Sequence, residues 1–109
     1  MKLGFLMPLS VENIARARRL GYDSLEAAVG WLGASTLDAS VASLPQLKDA
    51  MAKHNVAITS VAIYGGAIEA PVDAAVGYYA GAVELAEALG CGVVSGLTGR
   101  DNSKTVAEN

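Results

Sequence analysis

The chain has 109 residues, 52% of them hydrophobic and 17% charged, which is ample apolar material for one domain with a core. A net charge of −3 and an isoelectric point near 4.9 leave no basic face of the kind nucleic acid requires. The single cysteine, Cys91, excludes an internal disulfide and any multi-cysteine metal cluster. Placed just after Gly90 at the start of a strand, it reads as a small buried hydrophobe.

Lys2 to Met7 is a compact apolar run without clean alternation, the pattern of a strand covered on both faces. It is ended by Pro8, followed by Glu12, Arg16, Arg18 and Arg19, and lacks a small-residue cleavage site, so it reads as a first strand and not a signal peptide. No stretch reaches the roughly 18 consecutive apolar residues of a membrane span. A cytoplasmic protein without a membrane partner is the expectation. Ser10 is the expected N-cap of a first helix whose stripe is Val11, Ile14, Ala15, Ala17 and Leu20, with Glu12, Arg16 and Arg19 facing water. A second strand is predicted over Ser24 to Val29.

Gly30 to Ser43, with Trp31, Gly33, Ser35, Thr36 and Asp38, is the longest segment expected to be irregular, a size usual for a functional insertion or a disordered piece. A second helix is predicted from about Leu44-Pro45, with Pro45 suited to a first helical position and Leu47, Ala50, Met51 and His54 inward. The β-branched residues Ile58, Thr59, Val61 and Ile63 predict a third strand over Ala57 to Ile63, closed by the turn Tyr64-Gly65-Gly66. A third helix starts near Pro71, its predicted stripe being Val72, Val76, Tyr79, Val83, Ala86 and Leu89 and its outer face Asp73, Glu84 and Glu87. A fourth strand over Gly92 to Leu97 opens into Thr98-Gly99-Arg100-Asp101. Ser103 to Asn109 reads as the start of a fourth helix, with Thr105 and Glu108 at capping-box spacing.

The predicted helices end at Leu20-Gly21, His54-Asn55 and Leu89-Gly90, each on a residue that tolerates left-handed backbone. These ends recur 34 and 35 residues apart, the length of one strand, one helix and two short loops. The fold class is therefore α/β with a parallel sheet, wound strand-helix-strand-helix-strand-helix-strand with right-handed crossovers. A closed (β/α)8 barrel needs about 250 residues. The expectation is one partial barrel domain over residues 1–109, its N-terminal half, truncated at the start of the fourth helix; a small four-stranded α/β domain is the alternative.

In parallel α/β folds ligands bind at the C-terminal ends of strands, here Met7-Pro8, Glu26 to Trp31, Tyr64 to Gly66 and Thr98 to Asp101. Gly90-Cys91-Gly92 with Gly96 has the wrong spacing and position for a dinucleotide loop, and Ser103-Lys104-Thr105 lacks both glycines of a phosphate loop. Glu26 is the most informative charge, because a carboxylate within an apolar strand is costly unless paired, hydrated or bound to a ligand. It either points to a barrel interior, where it holds a sugar hydroxyl or supports a metal ligand, or faces the helices and pairs with an arginine. Trp31 and Tyr64 flank the same predicted mouth, where aromatic faces stack on sugars or cap the core. Arg100 is an anchor for a carboxylate or phosphate, or else a solvated loop charge. His54, at a helix C-terminus on the opposite side, reads as structural. No metal triad, nucleophile–base pair or paired carboxylates can be assembled.

Several segments carry a likeness to a known family. They are Met1-Lys2-Leu3-Gly4, Arg19-Leu20-Gly21-Tyr22-Asp23-Ser24-Leu25-Glu26, Leu47 to Ile58, Ala82-Val83-Glu84-Leu85-Ala86-Glu87-Ala88-Leu89-Gly90-Cys91 and Ala107-Glu108-Asn109. On these the chain resembles the xylose isomerase-like TIM barrel superfamily of sugar phosphate isomerases and epimerases. The resemblance implies a metal-dependent isomerase or epimerase acting on a sugar, sugar phosphate or keto acid, by proton transfer through an enediolate. It also implies a divalent metal (Mn, Mg, Co or Zn) whose ligands lie outside this chain. Only Glu26 matches an acidic position of the family, at the end of its second strand. The superfamily's endonuclease IV branch has histidines where this chain has Tyr64 and Thr98, which argues against a metal hydrolase. The other alternative is an inert fragment or self-associating binding module, since half a barrel leaves two apolar strand edges open to a second copy.

Overall fold

In chain order the elements are β1 (Gly4–Pro8), α1 (Val11–Arg19), β2 (Ser24–Ala28), β3 (Gly30–Trp31), β4 (Ala34–Ser35), α2 (Leu37–Ala42), α3 (Leu44–His54), β5 (Ala57–Ile63), α4 (Val72–Ala88) and β6 (Val94–Gly96). The computed structural model describes residues 3–31, 34–35, 37–64, 71–97, 103–105 and 107–108. Four strands form one parallel sheet in the order β1-β2-β5-β6, so each main strand lies beside the next in sequence. Ile14 and Ala17 of α1, Leu47 and Ala50 of α3, and Ala82, Leu85 and Ala86 of α4 share one core with Leu25, Ala27, Ile58, Val61 and Ile63 of the sheet. The order never reverses and the helices share a face, the winding of a barrel and not of a doubly wound sheet.

The three helix ends show why the sequence punctuates where it does. Gly21, Asn55 and Gly90 have φ of 85°, 51° and 72°, and Asn55 is the one non-glycine in this region among the described residues. The left-handed turn lets the chain leave each helix and start directly toward the next strand. Tyr22, Val56 and Cys91 each donate a backbone N–H back into the helix just left, to Ala17, Met51 and Ala86. At the other end of α1, the Ser10 hydroxyl accepts the Asn13 N–H at 3.1 Å, the expected N-cap. Cys91 is buried, and its thiol donates to the Val93 carbonyl at 3.3 Å.

Three expectations are corrected. The segment from Gly30 to Ser43 is largely regular, holding the antiparallel pair β3-β4 and the six-residue α2. Leu37 of α2 is buried against α4, where a Cβ on Gly81 would lie 3.0 Å from its Cδ2. In α4, Val72, Val76 and Val83 are 77%, 63% and 53% exposed; the buried stripe is Ala82, Leu85, Ala86 and Leu89, with Ala75, Tyr78 and Tyr79 partly buried. Small residues let the helix lie close to the sheet, and valines round its other side obscure the stripe. Finally, the described residues after Lys104 form a turn and not a helix. There the Thr105 N–H and hydroxyl donate to Glu108 Oε2 at 2.9 and 2.7 Å, which holds that carboxyl below its ordinary range.

Candidate functional site

Alternation along β2 decides where Glu26 goes. Leu25 and Ala27 are fully buried in the helix-side core, so Glu26 between them falls on the sheet face without helices among the described residues. Its neighbours are set by a bulge in β5: Leu25 pairs with Ile58, but Glu26 pairs with Ser60 and Ala27 with Val61, so Thr59 is the extra residue. If β5 alternated strictly through Thr59, with no bulge, Ser60 would turn toward the helices and Val61 away from them. The Thr59 hydroxyl donates to the Leu25 carbonyl at 3.1 Å and fastens the irregular point.

Tyr64 follows the buried Ile63, and Ser95 pairs in register with Ala62; both therefore reach the face that carries Glu26. The Tyr64 hydroxyl donates to Glu26 Oε1 at 2.8 Å, and the Ser95 hydroxyl donates to the same oxygen at 2.9 Å. The cluster thus ties β2 to β5 and β6 through side chains. The hydrogen bond to Glu26, then burial, then the Glu26 charge push the Tyr64 phenol above its usual value, and Ser95 opposes them weakly. Of the two sequence readings of Glu26, the arginine pair is absent among the described residues: Arg18 instead pairs with Asp23 at 3.1 Å on the surface.

An open cleft of about 430 Å³ lies on the other side of Glu26, lined by Gly4, Phe5, Ser24, Glu26, Ala57 and Thr59. Gly4, Ser24 and Ala57 begin their strands. The cleft therefore runs toward the N-terminal ends of the strands, whereas Tyr64 lies just past the C-terminal end of β5. Sequence reasoning centred on the mouths and missed Ser95, Thr59 and Ser60. The available signal was the need of a mid-strand carboxylate for hydroxyl donors on neighbouring strands.

Trp31 enters the short β3 directly after β2, and its side chain lies outside the described residues, as do Arg100 and Thr98. The backbone at Val29 is tied down from α4, since the Tyr78 hydroxyl donates to the Val29 carbonyl. His54 ends α3, away from the cluster. Among the described residues, no three His, Cys, Asp or Glu side chains are grouped to hold an ion. Oε1 of Glu26 already takes two hydroxyl protons, so a metal here would need its ligands from elsewhere.

A family model described as xylose isomerase-like TIM barrel matches residues 14–109. The chain belongs to the xylose isomerase-like TIM barrel family. Among solved structures, it is similar to a D-psicose 3-epimerase crystallised in the presence of D-fructose. The TM-score is 0.71 and the identity 17%, with 97% of this chain and 42% of that one covered. At that identity the likeness concerns the fold: the four strands and their helices correspond to part of a TIM barrel. No curated protein matches the chain. Within this family the helix-free face of the sheet is the barrel interior, which is where Glu26, Tyr64 and Ser95 meet. No helix among the described residues is long and apolar enough to cross a membrane.

Proposed function

We propose that this chain forms one wall of the pocket of a sugar or keto-acid isomerase or epimerase, an enzyme that moves a proton beside a substrate carbonyl through an enediolate. The observation that carries the reading is the Glu26 carboxylate, held by Tyr64 and Ser95 on the interior face of a xylose isomerase-like sheet. A carboxylate fixed in this way is suited to accept a substrate hydroxyl and set the substrate's orientation. The fold neighbour's own epimerase activity supports the same reading.

The chain spans 42% of that neighbour, so the proton-transferring groups and the ligands of a divalent metal would come from outside these residues. When bound, such a metal would polarise the substrate carbonyl. The test is to incubate the polypeptide that carries this chain with ketoses in deuterium oxide. Deuterium entering at the carbon beside the carbonyl is expected, and ketoses recovered without deuterium would contradict the proposal. Tyr64 in place of a histidine at the end of β5 counts against the endonuclease-like alternative.

A second reading, self-association, draws on a specific observation. Leu3 and Leu6 are exposed at the β1 edge, and Val93 and Leu97 are exposed beside the β6 edge. Light scattering of the purified chain distinguishes the two: a monomer at all concentrations removes this second reading.

A further inference from the structure

Helix α4 carries apolar residues on a flank that stands open among the described residues. Ala82, Leu85 and Ala86 lie in the core, and Gly81 faces Leu37 of α2. Val72, Val76, Tyr79 and Val83, spaced 4, 3 and 4 residues apart, line the flank away from α2. This is the spacing of a seam between two helices. The three valines are exposed, and Tyr79 is half-buried, its hydroxyl donating to the Leu97 carbonyl at 2.8 Å. Leu97 is itself exposed, so the apolar flank runs on into the β6 edge. Beside the stripe Gly77 and Ala80 are exposed, and a Cβ on Gly77 would meet nothing within 4 Å. Small residues at such a place let a second helix come close.

The stripe reads the same from either end, about a centre between Gly77 and Tyr78. A two-fold axis at that centre sets two α4 helices antiparallel, with Val72 against Val83 of the second copy and Val76 against Tyr79 of the second copy. We infer that this flank of α4 is a homodimer surface, on which a second copy of the chain docks its own α4 in the antiparallel sense. The inference rests on the self-association reading above and not on the isomerase one, and it moves the contact from the strand edges to a helix. The open apolar area is about a few hundred Å² per copy, against roughly 800 Å² per partner in a stable complex, so the dimer is weak and forms only at high concentration. Charge sets the same limit and reports the orientation. α4 holds Asp73, Glu84 and Glu87 and no lysine or arginine, and the antiparallel register brings Asp73 near Glu84 of the second copy along one rim of the seam.

Sedimentation velocity of the 109-residue chain, from about 10 μM to about 1 mM, is expected to show a monomer–dimer equilibrium with a dissociation constant of roughly hundreds of micromolar. Val76→Asp puts a charge into the seam from a position exposed in the monomer, and should weaken the dimer by about tenfold or more while the far-ultraviolet circular dichroism is unchanged. Asp73→Lys should tighten the dimer by about two- to fivefold, because the new lysine meets Glu84 of the second copy. Leu3→Lys, at the β1 edge, should leave it as it is. A monomer at every concentration overturns both this inference and the self-association reading, and leaves the flank to a different segment. Dimerisation that survives Val76→Asp overturns the α4 surface, and its loss in Leu3→Lys instead puts the contact at the strand edges, where the self-association reading stands. If Val76→Asp loses its helical signal, Asp73→Lys decides. A dimer that Asp73→Lys weakens or leaves unchanged overturns the antiparallel arrangement.

Discussion

The Tyr64 hydroxyl reaches across 2.8 Å to Oε1 of Glu26, joining the end of β5 to the middle of β2 on the face opposite the helices. With Ser95 on the same oxygen, one carboxylate holds three strands of the sheet in side-chain contact.

That contact makes Tyr64 the tyrosine to watch as pH rises. Its phenol is held above the ordinary value of about 10 by the hydrogen bond to Glu26, by burial and by the Glu26 charge. The folded value is the raised one, so the stabilisation is complete below about pH 10 and is lost as pH climbs through the folded value. Ultraviolet titration of the wild type minus Tyr64→Phe should show a late phenol, and Glu26→Gln should bring it back toward about 10. A difference spectrum centred at or below about 10 in the wild type would show that the pair does not form.

Gly90 has a left-handed φ of 72°, and a Cβ there would meet nothing within 4 Å. Gly90→Ala should therefore cost about 1 kcal/mol from backbone conformation alone. In urea the midpoint should fall with the slope unchanged. Asn55→Ala should behave in the same way, because Asn55 holds a φ of 51°.

The bulge at Thr59 predicts a graded pair of variants. Thr59→Val removes the bond to the Leu25 carbonyl and should cost about 1 kcal/mol, whereas Thr59→Ser keeps the hydroxyl and should lose less than half of that. Chemical denaturation compares them, and equal losses would mean that the hydroxyl does not fasten the bulge.

On α4, Leu85→Ala should destabilise by about 2–5 kcal/mol, because Leu85 is buried in the core. Val76→Ala should change stability by less than about 0.5 kcal/mol, because Val76 stands in solvent. Thermal melts that rank the two the other way would restore the valine stripe expected from the sequence.

The difference between those two stripes marks what the chain reveals about itself. The helix ends were legible because positive φ is a steric demand that few residues meet, and Gly21, Asn55 and Gly90 all meet it. β5 occupies Ala57–Ile63 as its β-branched run predicts. α1 was legible at its centre, where Ile14 and Ala17 are buried among polar neighbours; its ends at Val11 and Leu20 are exposed. α4 is apolar on several sides, so periodicity does not choose a face, and alanines win the core by allowing close approach. α2 has six residues, too few to show a period. Within the candidate site, Glu26 stood out because a charge in an apolar strand needs an explanation. Ser95 and the Thr59 bulge did not, because strand register is a property of the assembled sheet.

In the proposed pocket a substrate hydroxyl meets the second oxygen of Glu26. A crystal structure of the chain grown with D-fructose tests this most directly. A sugar hydroxyl is expected within hydrogen-bonding distance of Glu26 Oε2, with Oε1 still held by Tyr64 and Ser95. A ketose bound away from Glu26, or a Glu26 side chain swung from those two hydroxyls to another partner, would contradict it.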